Sequence, residues 1–325
     1  MKNVTIIGKL HPAGLEILHR HGGLILSEFA DPAVPIPPEK ISEAHGLLIR
    51  TGTLTEADIR GATQLQIVSR HGVGCDNIPV DALSARGIPV AIVGPVNAIS
   101  VAEQTIAMLL SMAKRITPYD LAVRQGNWEF RNSLAATEVS GKTLLLLGLG
   151  RIGTEVAKRA RAFNMSILVY DPFLSEETVG MAGATKVTDW KALLGTVDVL
   201  SIHLPLSEAT RNIIDADVLA AMKPTAIVLN AARGGLIDEQ ALFAALSGRM
   251  MAGGAGLDVF DHEPPRPDNP LLSLPNVVLS PHSAAMTEES ARRMSEVSAL
   301  NIIAGLEGAL DPALIFNRKA LGQEA

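Results

Sequence analysis

The chain of 325 residues has little cysteine and no excess of positive charge. Its single cysteine, Cys75, excludes an intramolecular disulfide and a Cys-rich zinc site, so we expect a reducing compartment and a cytoplasmic protein. Asp and Glu number 34 against 28 Lys and Arg, and the resulting formal net charge of −6 argues against a surface that binds nucleic acid. We therefore predict a small-molecule partner, with no nucleic acid and no metal.

Long hydrophobic runs are also missing. The run Val4–Ile7 is too short for the apolar core of a secretory signal. The longest uncharged stretch, residues 87–102, contains two prolines and falls short of the roughly 20 apolar residues that a membrane-spanning helix needs. With 47% hydrophobic residues, the composition is that of a globular protein, and no membrane partner is expected.

Short aliphatic runs alternate with amphipathic segments in two series, the first within residues 1–97 and the second starting at Lys142. This alternation is typical of βα units on a parallel sheet, and runs that are apolar throughout indicate strands buried on both faces. The sequence therefore predicts an α/β fold with doubly wound parallel sheets, in about two domains. A long helix from Ala98 to Ile116 is predicted between the two series, and a shorter one around the segment DWKALLG in the second.

A glycine-rich turn follows the first strand of the second series. Gly148, Gly150 and Gly153 form the pattern G-x-G-x-x-G between an apolar strand and a predicted helix. The three glycines permit a tight turn, the close approach of a pyrophosphate, and close packing of the helix on the strand. Arg151 and Ile152 would lie beside that pyrophosphate, at the helix N-terminus.

Asp171 ends the next predicted strand, about 20 residues beyond the glycines, where a carboxylate accepts hydrogen bonds from the adenosine ribose. Its charge would repel a 2′-phosphate, and no basic residue occurs in the following segment PFLSEE. The sequence therefore predicts NAD rather than NADP as the cofactor.

Three later segments each present a polar side chain at the carboxyl end of a predicted strand, where open α/β sheets hold their ligands. Arg233, in NAARGGLID, offers a guanidinium that can grip a carboxylate with two hydrogen bonds. His282, in LSPHSAA, offers an imidazole, the side chain best suited to exchange a proton near neutral pH. Glu263, in GLDVFDHEP, offers an anion that could orient the imidazole, although the sequence alone leaves Asp258 and Asp261 almost equal to it.

Together these motifs resemble the D-isomer-specific 2-hydroxyacid dehydrogenase family, in the branch of D-3-phosphoglycerate dehydrogenase and the hydroxypyruvate and glyoxylate reductases. The segments RHGVGCDNI, NAISVAE and HLPL extend the resemblance over almost the whole chain. It implies a flavodoxin-like substrate domain of residues 1–97 and 286–325, with a Rossmann NAD-binding domain of residues 98–285 inserted into it. It also implies a homodimer packed through the cofactor domain, for which the helix from Ala98 is a candidate surface.

The resemblance further implies an NAD-dependent oxidoreductase that acts on the CH–OH group of a D-2-hydroxy acid. In the implied catalytic set of Arg233, Glu263 and His282, the imidazole exchanges the hydroxyl proton and the glutamate holds the ring. The residues that the resemblance assigns to the substrate are Arg50, Val73, Gly74, Asn97 and Arg233. Those that it assigns to the cofactor are Gly148, Gly150, Arg151, Ile152, Gly153, Asp171, Pro205, Ala231, Ala232, Asp258, His282 and Ala284.

Which acid is the substrate stays open at this point. Arg50 lies where phosphoglycerate dehydrogenases use an arginine toward the phosphate, and Arg70 lies near the carboxylate loop, so D-3-phosphoglycerate is the first candidate. Hydroxypyruvate or glyoxylate, which needs no phosphate site, is the alternative. A corepressor of the same family that senses NADH is a minor alternative. His203 also ends a predicted strand and is the second candidate for the catalytic base.

Overall fold

The computed structural model describes residues 1–31 and 34–323. The chain divides into two compact units, Met1–Asn97 with Met286–Ala325 and Ala98–Ala285. Each unit contains one sheet in which every strand pairing is parallel. The predicted α/β class with two doubly wound parallel sheets is confirmed.

The first unit begins with five strands and four helices. They are β1 (Lys2–Ile7), α1 (Pro12–Arg20), β2 (Leu24–Phe29), α2 (Pro38–Ser42), β3 (Gly46–Ile49), α3 (Glu56–Gly61), β4 (Ile67–Arg70), α4 (Val80–Ala85) and β5 (Val90–Ala91). The strand order is β2-β1-β3-β4-β5. The order reverses between β1 and β3, and open sheets of this kind hold ligands outside the carboxyl ends of the strands at such a reversal.

The second unit contains six helices and seven strands, besides short 3₁₀ turns. They are α5 (Ala98–Lys114), α6 (Ile116–Arg124), β6 (Thr143–Leu147), α7 (Arg151–Ala162), β7 (Ser166–Tyr170), α8 (Glu176–Met181), β8 (Thr185–Lys186), β9 (Val199–Ile202), α9 (Ala216–Ala221), β10 (Ile227–Asn230), α10 (Glu239–Ser247), β11 (Gly254–Leu257) and β12 (Val277–Leu279). The strand order is β12-β11-β10-β9-β6-β7-β8, with its reversal between β6 and β9. Leu144 to Leu147 of β6 are fully buried, which explains the uninterrupted leucines of this segment.

The last helix, α11 (Glu288–Glu307), returns to the first unit. It packs on the sheet closely enough that a Cβ added at Gly305 would lie 2.6 Å from the side chain of Ile67 in β4. Ile302 of α11 is also fully buried, in a cluster with Ile67 and residues of β1. The C-terminal segment therefore completes a hydrophobic core that the N-terminal residues begin.

Some local predictions were wrong. The long helix ends at Lys114 because Arg115 adopts the left-handed conformation with φ of 54°, and the separate helix α6 follows. The segment DWKALLG forms a 3₁₀ turn, Lys191–Thr196, rather than an α-helix. The short elements α8 and β8 were not predicted.

Within the described residues, no helix is long and apolar enough to cross a bilayer.

Candidate active site

The turn after β6 is shaped by its glycines. Gly148 has a φ of +92°, and a Cβ there would lie 2.8 Å from the backbone oxygen of His203. A Cβ at Gly153 would overlap the carbonyl oxygen of Gly148, so the first turn of α7 lies against the glycine turn. Gly150, the N-cap of α7, differs from both because no described atom lies within 4 Å of the position of its Cβ. This open space, together with the backbone amides of the first helical turn, suits a pyrophosphate.

Asp171, just beyond β7, lies next to the same turn. One carboxylate oxygen, Oδ2, accepts a hydrogen bond from the amide of Leu149 at 3.0 Å, and Oδ1 accepts one from the amide of Phe173 at 3.0 Å. The residue stays partly exposed, so its oxygens can also accept hydrogen bonds from a diol. With Arg151 and Ile152 at the start of α7, these residues fit a dinucleotide.

Arg233 stands on a loop that a buried asparagine holds in shape. Asn230, the last residue of β10, is 2% exposed, and its side chain donates to the backbone oxygen of Arg233 at 2.8 Å. Its Oδ1 accepts from the amide of Ala232 at 3.0 Å, and Arg233 Nη1 donates to the oxygen of Ala232 at 2.6 Å. The predicted cofactor residue Ala231 is buried in this loop. Asn230 was not predicted as a site residue, although its place at the end of a buried strand was the available signal.

The structure brings Glu263 and His282 together. Glu263 Oε2 lies 2.6 Å from His282 Nδ1, and Glu263 Oε1 accepts from the amide of Phe260 at 3.1 Å. Burial alone would raise the pKa of Glu263, but the hydrogen bonds from His282 and Phe260 and the charges of His282 and Arg233 outweigh it and hold that pKa below its usual value. His282 has a left-handed φ of 49°, a conformation that a non-glycine residue keeps only where its surroundings fix it.

Asp258 supplies that fixation. It is 1% exposed, and its carboxylate accepts from the hydroxyl of Ser280 at 2.5 Å and from the amides of Ser283 and Ala284 at 2.9 Å each. The backbone oxygen of Asp258 accepts from the amide of His282 at 2.7 Å. Asp258 was predicted on the nicotinamide side, and its carboxylate lies inside the loop that carries His282.

Two further predicted residues follow β9. Desolvation lowers the pKa of His203 to about 4, although the residue keeps some exposed surface, and its Nε2 lies 2.9 Å from the hydroxyl of Ser201. An imidazole with a pKa of about 4 is a weak base, and the Nε2 of His203 is paired with the buried Ser201, so His203 is a poorer candidate than His282 for the catalytic base. Pro205 is exposed, and its carbonyl accepts from the hydroxyl of Thr210 at 2.7 Å.

In the first unit, Arg70 organises the predicted substrate loop through its backbone. Its Nε donates to the oxygen of Gly74 at 2.9 Å, and its Nη1 donates to the oxygens of Ile49 at 3.1 Å and Arg50 at 2.6 Å. These bonds tie the ends of β3 and β4 to the loop that contains Val73. The guanidinium of Arg70 therefore holds several backbone oxygens of this region in place.

Arg50 follows β3, is partly exposed, and donates from Nη1 to the oxygen of Lys9. Burial, together with the charges of Arg50 and Arg70, lowers the pKa of the neighbouring His71 to about 4. His71 is therefore neutral near pH 7 and adds no positive charge beside Arg50. Asn97, the last residue of this stretch of the first unit, is 7% exposed.

The sheet order, the glycine turn and Asp171 define a dinucleotide-binding α/β protein. Residues 106–284 match the family model described as the NAD binding domain of D-isomer specific 2-hydroxyacid dehydrogenase. The chain belongs to this family, which confirms the resemblance, and the NAD-binding domain predicted from the glycine motif is confirmed with it.

Three relatives illustrate the similarity. The chain is 40% identical to a D-3-phosphoglycerate dehydrogenase of Methanocaldococcus jannaschii, over 95% of this chain and 58% of that protein. It is 37% identical to a glyoxylate reductase of Korarchaeum cryptofilum, over 96% of this chain and 95% of that protein. The solved D-lactate dehydrogenase of Aquifex aeolicus, complexed with NAD and lactic acid, is 28% identical with a TM-score of 0.86, covering 94% of this chain and 95% of that one. The chain spans 50 to 58% of the length of the phosphoglycerate dehydrogenases it matches.

Proposed function

We propose that the protein catalyses reversible, NAD-dependent hydride transfer between a D-2-hydroxy acid and the corresponding 2-keto acid. The observation that carries this proposal is the 2.6 Å pair of Glu263 and His282, in the same unit as the glycine turn and with the charge of Arg233 acting on Glu263. A carboxylate, an imidazole and a guanidinium are the groups that a proton-coupled reduction of a 2-keto acid requires.

Each of the three proposed catalytic side chains has a different role in this reaction. Arg233 would bind the substrate carboxylate and polarise the neighbouring carbonyl, because its planar guanidinium can donate two parallel hydrogen bonds. When bound, the nicotinamide supplies the hydride in reduction and receives it in oxidation. His282, whose Nδ1 faces Glu263, would donate a proton from Nε2 to the carbonyl oxygen in reduction and take it back in oxidation. Glu263 would keep the ring oriented for both directions.

The low pKa of Glu263 fits this role. Because the carboxyl is ionised above its lowered pKa, an anion faces His282 throughout the neutral range. Protonation at acidic pH would remove the anion and the orientation of the ring with it. We therefore expect activity to fall as the pH drops below the usual range of glutamate.

The cofactor would be held by the glycine turn and its surroundings. Gly150 leaves room for the pyrophosphate, and Asp171 would accept hydrogen bonds from the adenosine ribose and repel a 2′-phosphate. The other residues assigned to the cofactor are Gly148, Arg151, Ile152, Gly153, Pro205, Ala231, Ala232, Asp258, His282 and Ala284. Of these, Asp258 would act through the His282 loop, since its carboxylate is occupied there.

For the first unit, we propose Arg50, Val73, Gly74 and Asn97 as substrate-binding residues. The first candidate substrate of the protein is D-3-phosphoglycerate. Several relatives that are 38 to 42% identical carry that name. Both arginines are partly exposed, but Arg50 donates to the backbone oxygen of Lys9, whereas Arg70 donates to those of Ile49, Arg50 and Gly74 and has fewer donors left for a ligand. Hydroxypyruvate or glyoxylate is the alternative, favoured by the match to a glyoxylate reductase over nearly its full length.

Steady-state kinetics with 3-phosphohydroxypyruvate, hydroxypyruvate, glyoxylate and pyruvate, each with NADH and NADPH, tests the proposal. We expect the highest kcat/KM for the phosphorylated acid with NADH, and an Arg50→Gln variant that loses this preference while keeping activity on glyoxylate. A higher kcat/KM for hydroxypyruvate or glyoxylate would favour the alternative. Stoichiometric NADH binding without oxidation of NADH by any of the acids would contradict the proposed enzymatic activity. It would favour the alternative of a corepressor that senses NADH.

We further propose a homodimer that packs through the segment after α5. Most of α5 is buried within its own unit, whereas Ile116, Leu121, Val123 and Trp128 are each more than half exposed. Light scattering on the purified protein should give twice the chain mass, and Trp128→Glu should shift it toward the monomer. A cytoplasmic location stays a prediction.

A further inference from the structure

Two loops of the second unit meet directly behind the proposed catalytic groups. We name residues 230–235, which include Arg233, the arginine loop, and residues 258–263, which include Glu263, the glutamate loop. A Cβ added at Gly234 would overlap the carbonyl oxygen of Phe260, so the two backbones are in contact. A displacement of one loop is therefore transmitted to the other.

One side chain joins the two loops by a hydrogen bond. Asp261, in the glutamate loop, accepts from the backbone amide of Gly235 in the arginine loop, with a distance of 2.6 Å to its Oδ1. A charged acceptor makes this bond stronger than the neutral backbone bonds around it. Gly235 lies two residues beyond Arg233, and Asp261 lies two residues before Glu263, so the bond sits beside both proposed catalytic side chains.

Glu239 anchors this connection to a helix. It is the first residue of α10, and its Oε1 accepts from the backbone amide of Asp261 at 2.8 Å. Its Oε2 accepts from the side chain of Asn269 at 2.7 Å, whose own Oδ1 accepts from the amide of Leu271 at 3.0 Å. Leu271 is fully buried, so the chain of hydrogen bonds ends in the core of the unit.

We propose that Asp261 is a positioning residue that fixes the arginine loop, and with it Arg233, relative to the Glu263–His282 pair. Glu239 holds Asp261 in place. The inference rests on the proposed function, since it assigns a role in the same reaction. Asp261 touches no reacting atom and acts through Arg233. Misplacement of a reacting group by about an ångström can cost about a hundredfold in rate, so a smaller shift of Arg233 is expected to cost about tenfold.

The chain offers a matched control. Asp268 lines the same cavity as Asp261 and Glu239, is exposed, and carries the same charge, but it lies outside both loops. Asp261→Ala should lower kcat/KM for the keto acid by about tenfold, through both a lower kcat and a higher KM. NADH affinity should stay within about twofold of wild type. Asp268→Ala should match wild type. Asp261→Asn, which keeps an oxygen that can accept from Gly235, should recover most of the loss.

A double-mutant cycle tests whether Asp261 acts through Arg233. In an Arg233→Lys background, Asp261→Ala should have little further effect on kcat/KM, because the group it positions has already been changed. Multiplicative losses in the double variant would overturn the inference. So would wild-type kinetics of Asp261→Ala, or equal losses in Asp261→Ala and Asp268→Ala.

Hydrogen exchange gives a readout that does not depend on turnover. The amide of Gly235 should exchange faster in Asp261→Ala than in wild type or Asp268→Ala, and unchanged protection would overturn the inference even if the protein proved inactive. An inactive wild type would refute the proposed function alone. If Asp261→Ala does not fold, Glu239→Gln provides the same test, since it weakens the anchor and should reproduce the kinetic loss in part.

Discussion

The two glycines at the start of the cofactor turn should respond differently to the same substitution. Gly148→Ala forces a side chain into the left-handed region, which costs about 1–2 kcal/mol. Its Cβ would also lie 2.8 Å from the backbone oxygen of His203, and such overpacking costs about 1–3 kcal/mol. We expect Gly148→Ala to lower the free energy of unfolding by about 2–5 kcal/mol.

Gly150→Ala should leave the fold intact and remove the ligand. Gly150 has a φ of −71° and extended geometry, which alanine adopts readily, and its Cβ would meet no described atom within 4 Å. Such a change commonly stabilises a protein by about 0.4–1 kcal/mol. The added methyl would occupy the space proposed for the pyrophosphate, so NADH affinity should fall at least about tenfold, or about 1.4 kcal/mol.

Urea denaturation and NADH fluorescence titration of the two variants measure these effects separately. NADH binding by Gly150→Ala equal to that of wild type would show that the pyrophosphate lies elsewhere and would refute its proposed position over Gly150. Wild-type stability of Gly148→Ala would equally refute the proposed strain. A variant destabilised at Gly150 would mean that the open space over this residue is used by the fold itself.

Three further predictions concern single side chains. Asp171→Ala should relax the preference for NADH over NADPH, and unchanged ratios of kcat/KM would remove Asp171 from the ribose role. His282→Ala should lower kcat by about 10²–10⁴-fold with NADH affinity nearly unchanged, and an equal loss of affinity in a titration would count against its role as the acid–base group. For Asp198, burial alone would raise the pKa, but the hydrogen bonds from Lys223 at 2.8 Å and from the amide of Thr143 at 2.9 Å, with the nearby lysine charges, hold it below its usual value. A lowered pKa in the folded state contributes stability above the usual pKa of aspartate, and this stability is lost as the pH falls through the lowered value. Asp198→Asn should therefore make the denaturation midpoint fall less steeply as the pH is lowered. A midpoint that falls as steeply as in wild type would exclude the linkage.

Much of the fold follows from patterns in the sequence alone. The apolar run of β6, the glycine turn and α7 are each specified locally, because one strand, one turn and one amphipathic helix succeed each other within about twenty residues. The short elements α8 and β8 could not be predicted from such patterns. The strand β8 has only two residues, too few to show a strand pattern, and it is a strand because it pairs with β7.

The candidate site divides in the same way. Residue type and position after a strand pointed to Arg233 and His282, and the family resemblance singled out Glu263, but the role of Asp258 depends on where its carboxylate points. Three donors of the His282 loop occupy that carboxylate, and they come from residues 22 to 26 positions further along the chain. Likewise, only the folded geometry reveals that Arg70 is bonded to backbone oxygens of two different segments, at residues 49–50 and at residue 74. Contacts of this range have no local signature in the sequence.

In the proposed reaction, this chain transfers a hydride between the nicotinamide and C2 of a small 2-keto acid, with a proton from His282. The most direct measurement uses NADH with deuterium at the transferable C4 position and mass spectrometry of the product formed from 3-phosphohydroxypyruvate, hydroxypyruvate or glyoxylate. We predict a 2-hydroxy acid that carries one deuterium at C2, formed by wild type and greatly slowed in His282→Ala. Tight binding of NADH with no deuterium transferred to any of the three acids would contradict the proposed hydride transfer.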